Sequence, residues 1–306
     1  MHYPKKANKV VRESITLPLP KAYRVEHLLR FYARDPIPTG EGVVEGVIYK
    51  NIIHQGKPLQ LRLQQQSQQL KAEQEGETLL PSRAFQALIE HLAGFRQLHT
   101  PFNEHHGEHP ELGPLIRQTP WLFTPQLQPF EALTWAIIGQ LISVKAAVTI
   151  RRRLIQTTHI KHLGWWTHPT PEHIMALGEN ALRDIGFSAN KAKALLAASH
   201  AQLANPTFLP DPSTPHCPEK INKGLQEIPG IGPWTAQYTL LRGYNHLAGD
   251  LAGDLAVRRG LGALQSGQWP PSTLPSIAAT RTWLATFSPY QAMAAAHLWH
   301  WQAQYF

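Results

Sequence analysis

Cysteine is nearly absent from this 306-residue chain, which has one, Cys217. A single thiol excludes a disulfide framework, a four-cysteine zinc site and an iron–sulfur cluster held by four cysteines. It fits a reducing compartment. Charge is sparse as well: 16% of the residues are Asp, Glu, Lys or Arg, against roughly 25% in an ordinary globular protein. Long apolar runs are also missing. The most apolar stretch, Leu133–Ile150, is broken by Gly139, Gln140, Ser143 and Lys145, and so falls short of the roughly 18 clean apolar residues of a membrane span. The basic start, Met1–Arg12, leads into no apolar segment of signal-peptide type. Neither a membrane partner nor secretion is expected.

What is present is a normal hydrophobic share, 42%, enough for packed cores, and a net charge of +8. A basic chain that is not disordered points to a polyanionic partner, most commonly nucleic acid.

The patterning divides the chain in three. Residues 1–13 read as a basic flexible arm, with Lys5, Lys6, Lys9 and Arg12 as phosphate contacts or merely solvated charges. Residues 14–104 read as a β-rich domain. Tyr23–Arg34 has helical spacing, then Val43–Tyr49 and Leu59–Gln64 alternate apolar with polar residues, as half-buried antiparallel strands do, around a turn at 54–58. Residues 82–98 return to helical spacing, and a Pro-, His- and Gly-rich loop follows at 99–114. Residues 105–306 read as all-helical, with Phe130–Ile155 as one long apolar-rich stretch and further helices at 171–186, 189–204, 219–243, 254–264, 274–286 and 289–304. The fold class is therefore α+β: a small antiparallel β-rich N-terminal domain followed by a larger helical one.

The most informative segment is Leu225–Tyr238. A helix ends at Pro229-Gly230, Gly230 and Gly232 allow a tight turn, and Pro233 suits the first position of the next helix. Such a turn aims free N–H groups at an approaching phosphate, although an ordinary helical hairpin has the same look. Downstream, Leu-Ala-Gly-Asp occurs twice in succession, ending at Asp250 and at Asp254. Asp254 precedes a helical pattern, where its plain role is an N-cap.

These segments together resemble the helix-hairpin-helix DNA glycosylases, most of all the alkylated-base branch, the DNA-3-methyladenine glycosylase II type. The resemblance rests on Pro129–Ala132 with Ala136–Val144, on Leu182–Phe187 with Lys191-Ala192, on the hairpin at 228–238 within 219–243, and on the aspartate that follows Trp234 at a family-like interval. It extends to Leu17–Pro20, Tyr23 and Phe31 in the N-terminal domain.

The resemblance implies a monofunctional enzyme that flips out and excises alkylated purines of the 3-methyladenine and 7-methylguanine type in base excision repair. Its partner would be double-stranded DNA with a damaged base, and the protein would act as a monomer in the cytoplasm of a bacterial cell or the nucleus of a eukaryotic one. Asp254 matches the catalytic position better than Asp250, because Val257 and Arg258-Arg259 follow it. Phe31, Trp234, Tyr238 and Trp299 match the base pocket, and Leu141 the wedge that fills the gap in the duplex; otherwise all five read as core. Gly230, Ile231, Gly232, Trp234 and Thr235 match the phosphate-binding hairpin. No cofactor is implied for the chemistry. A sodium or potassium ion is implied on the backbone carbonyls of Gln226, Ile228 and Ile231. Relatives that also cleave the strand carry a lysine where this chain has Trp234, so no lyase activity is implied.

Two places depart from the pattern. Leu255 stands where some relatives have an aromatic residue, and Gln291-Ala292 where arginine and serine are common. The His-rich run at 104–109 lacks the helical spacing of a hydrolytic zinc site and reads as a solvated loop. Rival readings are a glycosylase for deaminated or oxidised bases, a noncatalytic DNA-structure-binding module and, more remotely, a hydrolase of free nucleosides.

Overall fold

Alternating apolar and polar residues build the N-terminal sheet. The computed structural model describes residues 10–21, 23–99, 101–120 and 122–303. Strands β1 (Val11–Pro18), β2 (Glu41–Val44), β3 (Val47–His54), β4 (Lys57–Gln66) and β5 (Gln69–Gly76) pair antiparallel in the order β1-β5-β4-β3-β2. Leu59, Leu61 and Leu63 share one face of β4 and are buried with Leu28 of helix α1 (Val25–Tyr32) and Phe85 and Ile89 of α2 (Ser82–Leu92). Two expectations are corrected here. The run Val43–Tyr49 is two strands, because Glu45 and Gly46 both take positive φ (51° and 75°) in the two-residue turn that joins β2 to β3. Val11–Glu13, read as part of a flexible arm, pair with Gly76, Glu75 and Gln74 in the sheet, and Arg12 pairs with Glu75 at 2.7 Å. Lys5, Lys6 and Lys9 lie outside the described residues.

The remainder is helical: α3 (Phe102–His106), α4 (Gly113–Gln118), α5 (Pro129–Gly139), α6 (Val144–Gln156), α7 (Pro171–Ile185), α8 (Ala189–Ala204), α9 (Pro218–Gln226), α10 (Pro233–Tyr244), α11 (Leu255–Ser266), α12 (Ile277–Ala285) and α13 (Gln291–Gln302). Ser143, Ser188, Asp254 and Ser276 cap their helices by accepting a backbone N–H three residues on.

Three features differ from the sequence expectation. A two-stranded hairpin, β6 (Lys161–His162) with β7 (Trp165–Trp166), interrupts the helices, and Asn51 of β3 donates to its His162 and Trp165 carbonyls at 2.8 Å. The stretch Phe130–Ile155 breaks at 140–143 into α5 and α6. The loop 99–114 contains α3, whose Phe102 and His106 pack on Phe287, so that only part of the His-rich run is solvated. The expected boundary at 104/105 falls inside α3.

Three apolar cores result: one under the sheet, one among α5–α10, and one that joins Phe102 and α4 to α11, α12 and α13. Phe31 packs against the first two, and Tyr238 against the last two. No helix among the described residues is long and apolar enough to cross a membrane.

A buried ion cluster ties the sheet to the helices. Lys50 lies opposite Leu61 in the β3–β4 register and therefore points into the core. Its ammonium sits 2.7 Å from Glu41 of β2 and 2.7 Å from Glu131 of α5. Arg151 of α6 reaches both carboxylates, at 3.0 and 2.8 Å, and Arg34 adds a contact to Glu41 at 2.5 Å.

Candidate active site and nucleic-acid interface

Asp254 stands at the N-cap of α11, where its Oδ1 accepts the Val257 N–H at 2.9 Å. Two indoles converge on the same carboxylate: Trp234 Nε1 donates to Oδ2 at 2.8 Å, and Trp299 Nε1 to Oδ1 at 3.1 Å. The carboxylate is thus held by one backbone and two aromatic donors from α10, α11 and α13. Asp250 is placed differently. Its Oδ1 accepts the Ala252 N–H and its Oδ2 pairs with Arg281 at 2.6 Å.

The predicted pocket aromatics gather beside Asp254. The rings of Trp234 and Tyr238 are 5.4 Å apart, and those of Tyr238 and Trp299 5.9 Å. Phe31 joins through a cation rather than through a ring contact: the Arg242 guanidinium is 5.3 Å from Phe31, 5.7 Å from Tyr238 and 5.8 Å from Trp299.

Sequence reasoning missed three residues here. Trp135 of α5 donates to the Tyr238 hydroxyl at 3.0 Å; it reads as core, and is 9% exposed. Arg34 lies 4.0 Å over Phe31. Arg242 was legible in principle, because Trp234, Tyr238 and Arg242 recur every fourth residue on one face of α10.

The wedge candidate is fully presented. Leu141 has φ of 56° and is 105% exposed at the tip of the α5–α6 break, followed by the exposed Ile142 and Val144. A core role is therefore excluded for it. Gln140 anchors this tip to the hairpin by donating to the Gly230 carbonyl and to Thr235 Oγ1, both at 2.9 Å.

In the hairpin, Gly230 has φ of 91°, and a Cβ there would stand 3.1 Å from Ala194. A Cβ at Gly232 would meet nothing within 4 Å, so that turn faces open space. Gly232 caps α10 without a side chain, and the first helical bond runs from Ala236 to its carbonyl. The N–H groups of Trp234 and Thr235 thus precede the first intrahelical donor and have no acceptor within α10. Thr235 and Ile231 can offer only their backbone, since their side chains are buried.

An alkali cation requires hard oxygen donors, and backbone carbonyls such as those expected to hold it, of Gln226, Ile228 and Ile231, are of that type. That of Ile228 already accepts the Ile231 N–H at 3.0 Å, which leaves one lone pair for an ion. Among the described residues, no group of three or more His, Cys, Asp or Glu side chains could hold a metal ion. Of the two departures, Leu255 is 47% exposed next to Asp254, and Gln291 Oε1 is buried without a hydrogen-bond partner.

Residues 134–284 match the family model described as HhH-GPD superfamily base excision DNA repair protein. The segment 134–284, just under half of the chain, thus carries an HhH-GPD superfamily domain. It is 31% identical over 199 residues to DNA-3-methyladenine glycosylase 2 of Escherichia coli (strain K12), a match that covers 62% of this chain and 65% of that one. The chain thus spans a little under two thirds of that relative's length. Among solved structures, a 3-methyladenine DNA glycosylase from Archaeoglobus fulgidus superposes with a TM-score of 0.78 over 95% of this chain and 99% of that one, at 20% identity, and so shares the fold. A Schizosaccharomyces pombe 3-methyladenine DNA glycosylase bound to abasic DNA superposes with a TM-score of 0.56 at 25% identity, over 65% of this chain and 95% of that one. The HhH-GPD match spans α5 to α12 and so includes the hairpin, Leu141 and Asp254, but neither Phe31 nor Trp299.

Proposed function

We propose that this HhH-GPD protein is a monofunctional DNA glycosylase that excises alkylated purines from double-stranded DNA. The observation that carries the reading is the Asp254 carboxylate, fixed by two indoles beside an aromatic cluster, one of them from the hairpin to which Gln140 ties the exposed Leu141. Relatives named as 3-methyladenine glycosylases support the choice of substrate.

In this reading the hairpin N–H groups of Trp234 and Thr235 take a phosphate, together with the Gly230–Gly232 backbone. A sodium or potassium ion on the carbonyls of Gln226, Ile228 and Ile231 would add positive charge there. Leu141 fills the gap left by the extruded nucleotide, at an unstacking cost of a few kcal/mol. The base stacks among Phe31, Trp234, Tyr238 and Trp299. Asp254 stabilises the oxocarbenium-like sugar while the glycosidic electron pair leaves with the base, and it accepts a proton from the water that adds at C1′. Trp234 cannot form the Schiff base of a lyase.

The test is base release from methylated duplex DNA, with products separated by chromatography. Release of 3-methyladenine or 7-methylguanine without strand cleavage is expected. Tight, salt-sensitive DNA binding without release would turn the protein into a binding module, and turnover of free nucleosides that is insensitive to salt would move it to another class.

Leu141→Ala separates wedge from packing. Its side chain touches solvent, so stability should change by less than about 0.5 kcal/mol. Base release should fall about tenfold, by the loss of roughly 1.4 kcal/mol of intercalating contact, with binding to undamaged duplex little changed. Equal losses of both binding modes would remove the wedge role.

A further inference from the structure

Leu141 sits in the left-handed region, a conformation that a leucine keeps only where its surroundings impose it. The local backbone supplies little of that constraint. Gln140 N donates to the Ile137 carbonyl at 3.4 Å and Ile142 N to the Gly139 carbonyl at 3.5 Å, both long for such bonds. Two side chains hold the root of the break instead. Gln140 uses both hydrogens of its amide on the hairpin, one on the Gly230 carbonyl and one on Thr235 Oγ1, each at 2.9 Å. Lys191, in the first turn of α8, donates to the Ile138 carbonyl at 2.9 Å, one of those that the end of α5 leaves without an intrahelical partner. A Cβ at Gly139 would stand 3.9 Å from the Trp234 ring, so the root also lies against an indole that holds Asp254.

The groups that Gln140 grips belong to the turn itself. Gly230 has the positive φ that closes it, and Thr235 carries one of the two N–H groups that precede the first intrahelical donor of α10. Gln140 is part-exposed and belongs to none of the three cores. A phosphate taken at the hairpin therefore places Leu141 at a fixed offset along the strand. A tip free to swing would meet the duplex in many orientations and would lose that freedom on insertion.

We infer that Gln140, backed by Lys191, is the positioning residue that couples the hairpin's grip on phosphate to insertion of Leu141. It acts through the leucine and not on the reacting atoms. The inference rests on the glycosylase reading above.

Gln140→Met keeps the length of the side chain and removes both donors. Single-turnover release from methylated duplex DNA should drop about tenfold, as expected from two lost hydrogen bonds. Binding of undamaged duplex should stay within about threefold, because the phosphate-facing N–H groups are untouched. A 2-aminopurine beside a tetrahydrofuran abasic analogue reports insertion without chemistry; its fluorescence should change on binding the wild type and change much less with Gln140→Met. In a Leu141→Ala background, Gln140→Met should lower release by less than about threefold more, because no wedge remains to be placed. Losses that multiply to about a hundredfold in the double variant, or undamaged-duplex binding that falls as far as release, make Gln140 an independent support of the hairpin and overturn the inference. If Gln140→Met does not fold, Lys191 decides: Lys191→Arg keeps the donor and should stay within about threefold of wild type, whereas Lys191→Met should lose about tenfold in release and most of the fluorescence response. Equal losses in those two variants overturn the inference. A wild type that releases base, with Gln140→Met matching it in rate and fluorescence, overturns the inference alone. A wild type that releases no base removes the glycosylase reading and the inference with it.

Discussion

Asp254→Asn is expected to lower base release by about 10²- to 10³-fold, the usual range for deleting one preorganised electrostatic group, while DNA binding and folding persist. Asparagine caps a helix as well as aspartate does, so the bond to the Val257 N–H survives and α11 keeps its start. What is lost is the charge. One of the two indole N–H groups also loses its acceptor, because Trp234 and Trp299 donate to different carboxylate oxygens and an amide has only one oxygen. Asp254→Ala removes the cap too, and should cost about 1 kcal/mol of stability besides. The measurements are single-turnover base release, anisotropy of labelled duplex and thermal melting. If asparagine leaves release intact, the carboxylate charge takes no part in the chemistry; if release, binding and melting temperature all collapse together, Asp254 is structural.

Glu131→Ala is expected to destabilise the fold by about 3–5 kcal/mol, because it leaves a buried ammonium and guanidinium short of a partner. Glu131 is 2% exposed and holds both Lys50 and Arg151. Removing charge on both sides, as in Lys50→Met with Glu131→Leu, should recover much of the loss. Recovery in urea titrations identifies an unpaired buried charge as the cause; a double variant as unstable as the single one would assign the effect to lost packing instead. The same cluster sets an acid limit. Burial opposes ionisation of both carboxyls, yet Arg151, Arg34 and Lys50 around Glu41, and Lys50, His168 and Arg151 around Glu131, outweigh it and hold both below the ordinary 4.5. A carboxyl lowered on folding contributes stability that is present above its unfolded value and lost as pH falls through its folded one. Wild-type stability should therefore decline below about pH 4.5, and less steeply in Glu131→Ala. The buried His297, pushed down to about 3 from 6.5, adds a decline that begins below 6.5 and is common to both proteins.

Much of this molecule was legible in the residues themselves, because the signals were local. The alternation over Leu59–Gln64 is a backbone period of two and survives any tertiary context. Pro229, Gly230, Gly232 and Pro233 dictate a helix stop, a turn and a helix start through their own φ restrictions. Asp254 reads as an N-cap from its position alone. Other features escaped for physical reasons. The β2–β3 turn at Glu45-Gly46 hides in an apolar run because a two-residue turn needs only one glycine. The break at 140–143 hides because Leu141 and Ile142 carry the composition of a core while standing in solvent.

By itself, then, the sequence determined the α+β class, the hairpin and the helix cap at Asp254, each set by the conformational limits of residues next to one another in the chain. Only the tertiary structure decided which aspartate meets the indoles, that Leu141 points outward, and that Lys50, Glu41, Glu131 and Arg151 neutralise one another in the interior. It also decided that Arg34 and Arg242 reach the aromatic faces. These are pairings between residues as far as 211 positions apart, as Arg242 is from Phe31. No local propensity encodes them, because charge and ring contacts depend on which chain segments the three cores bring to one place.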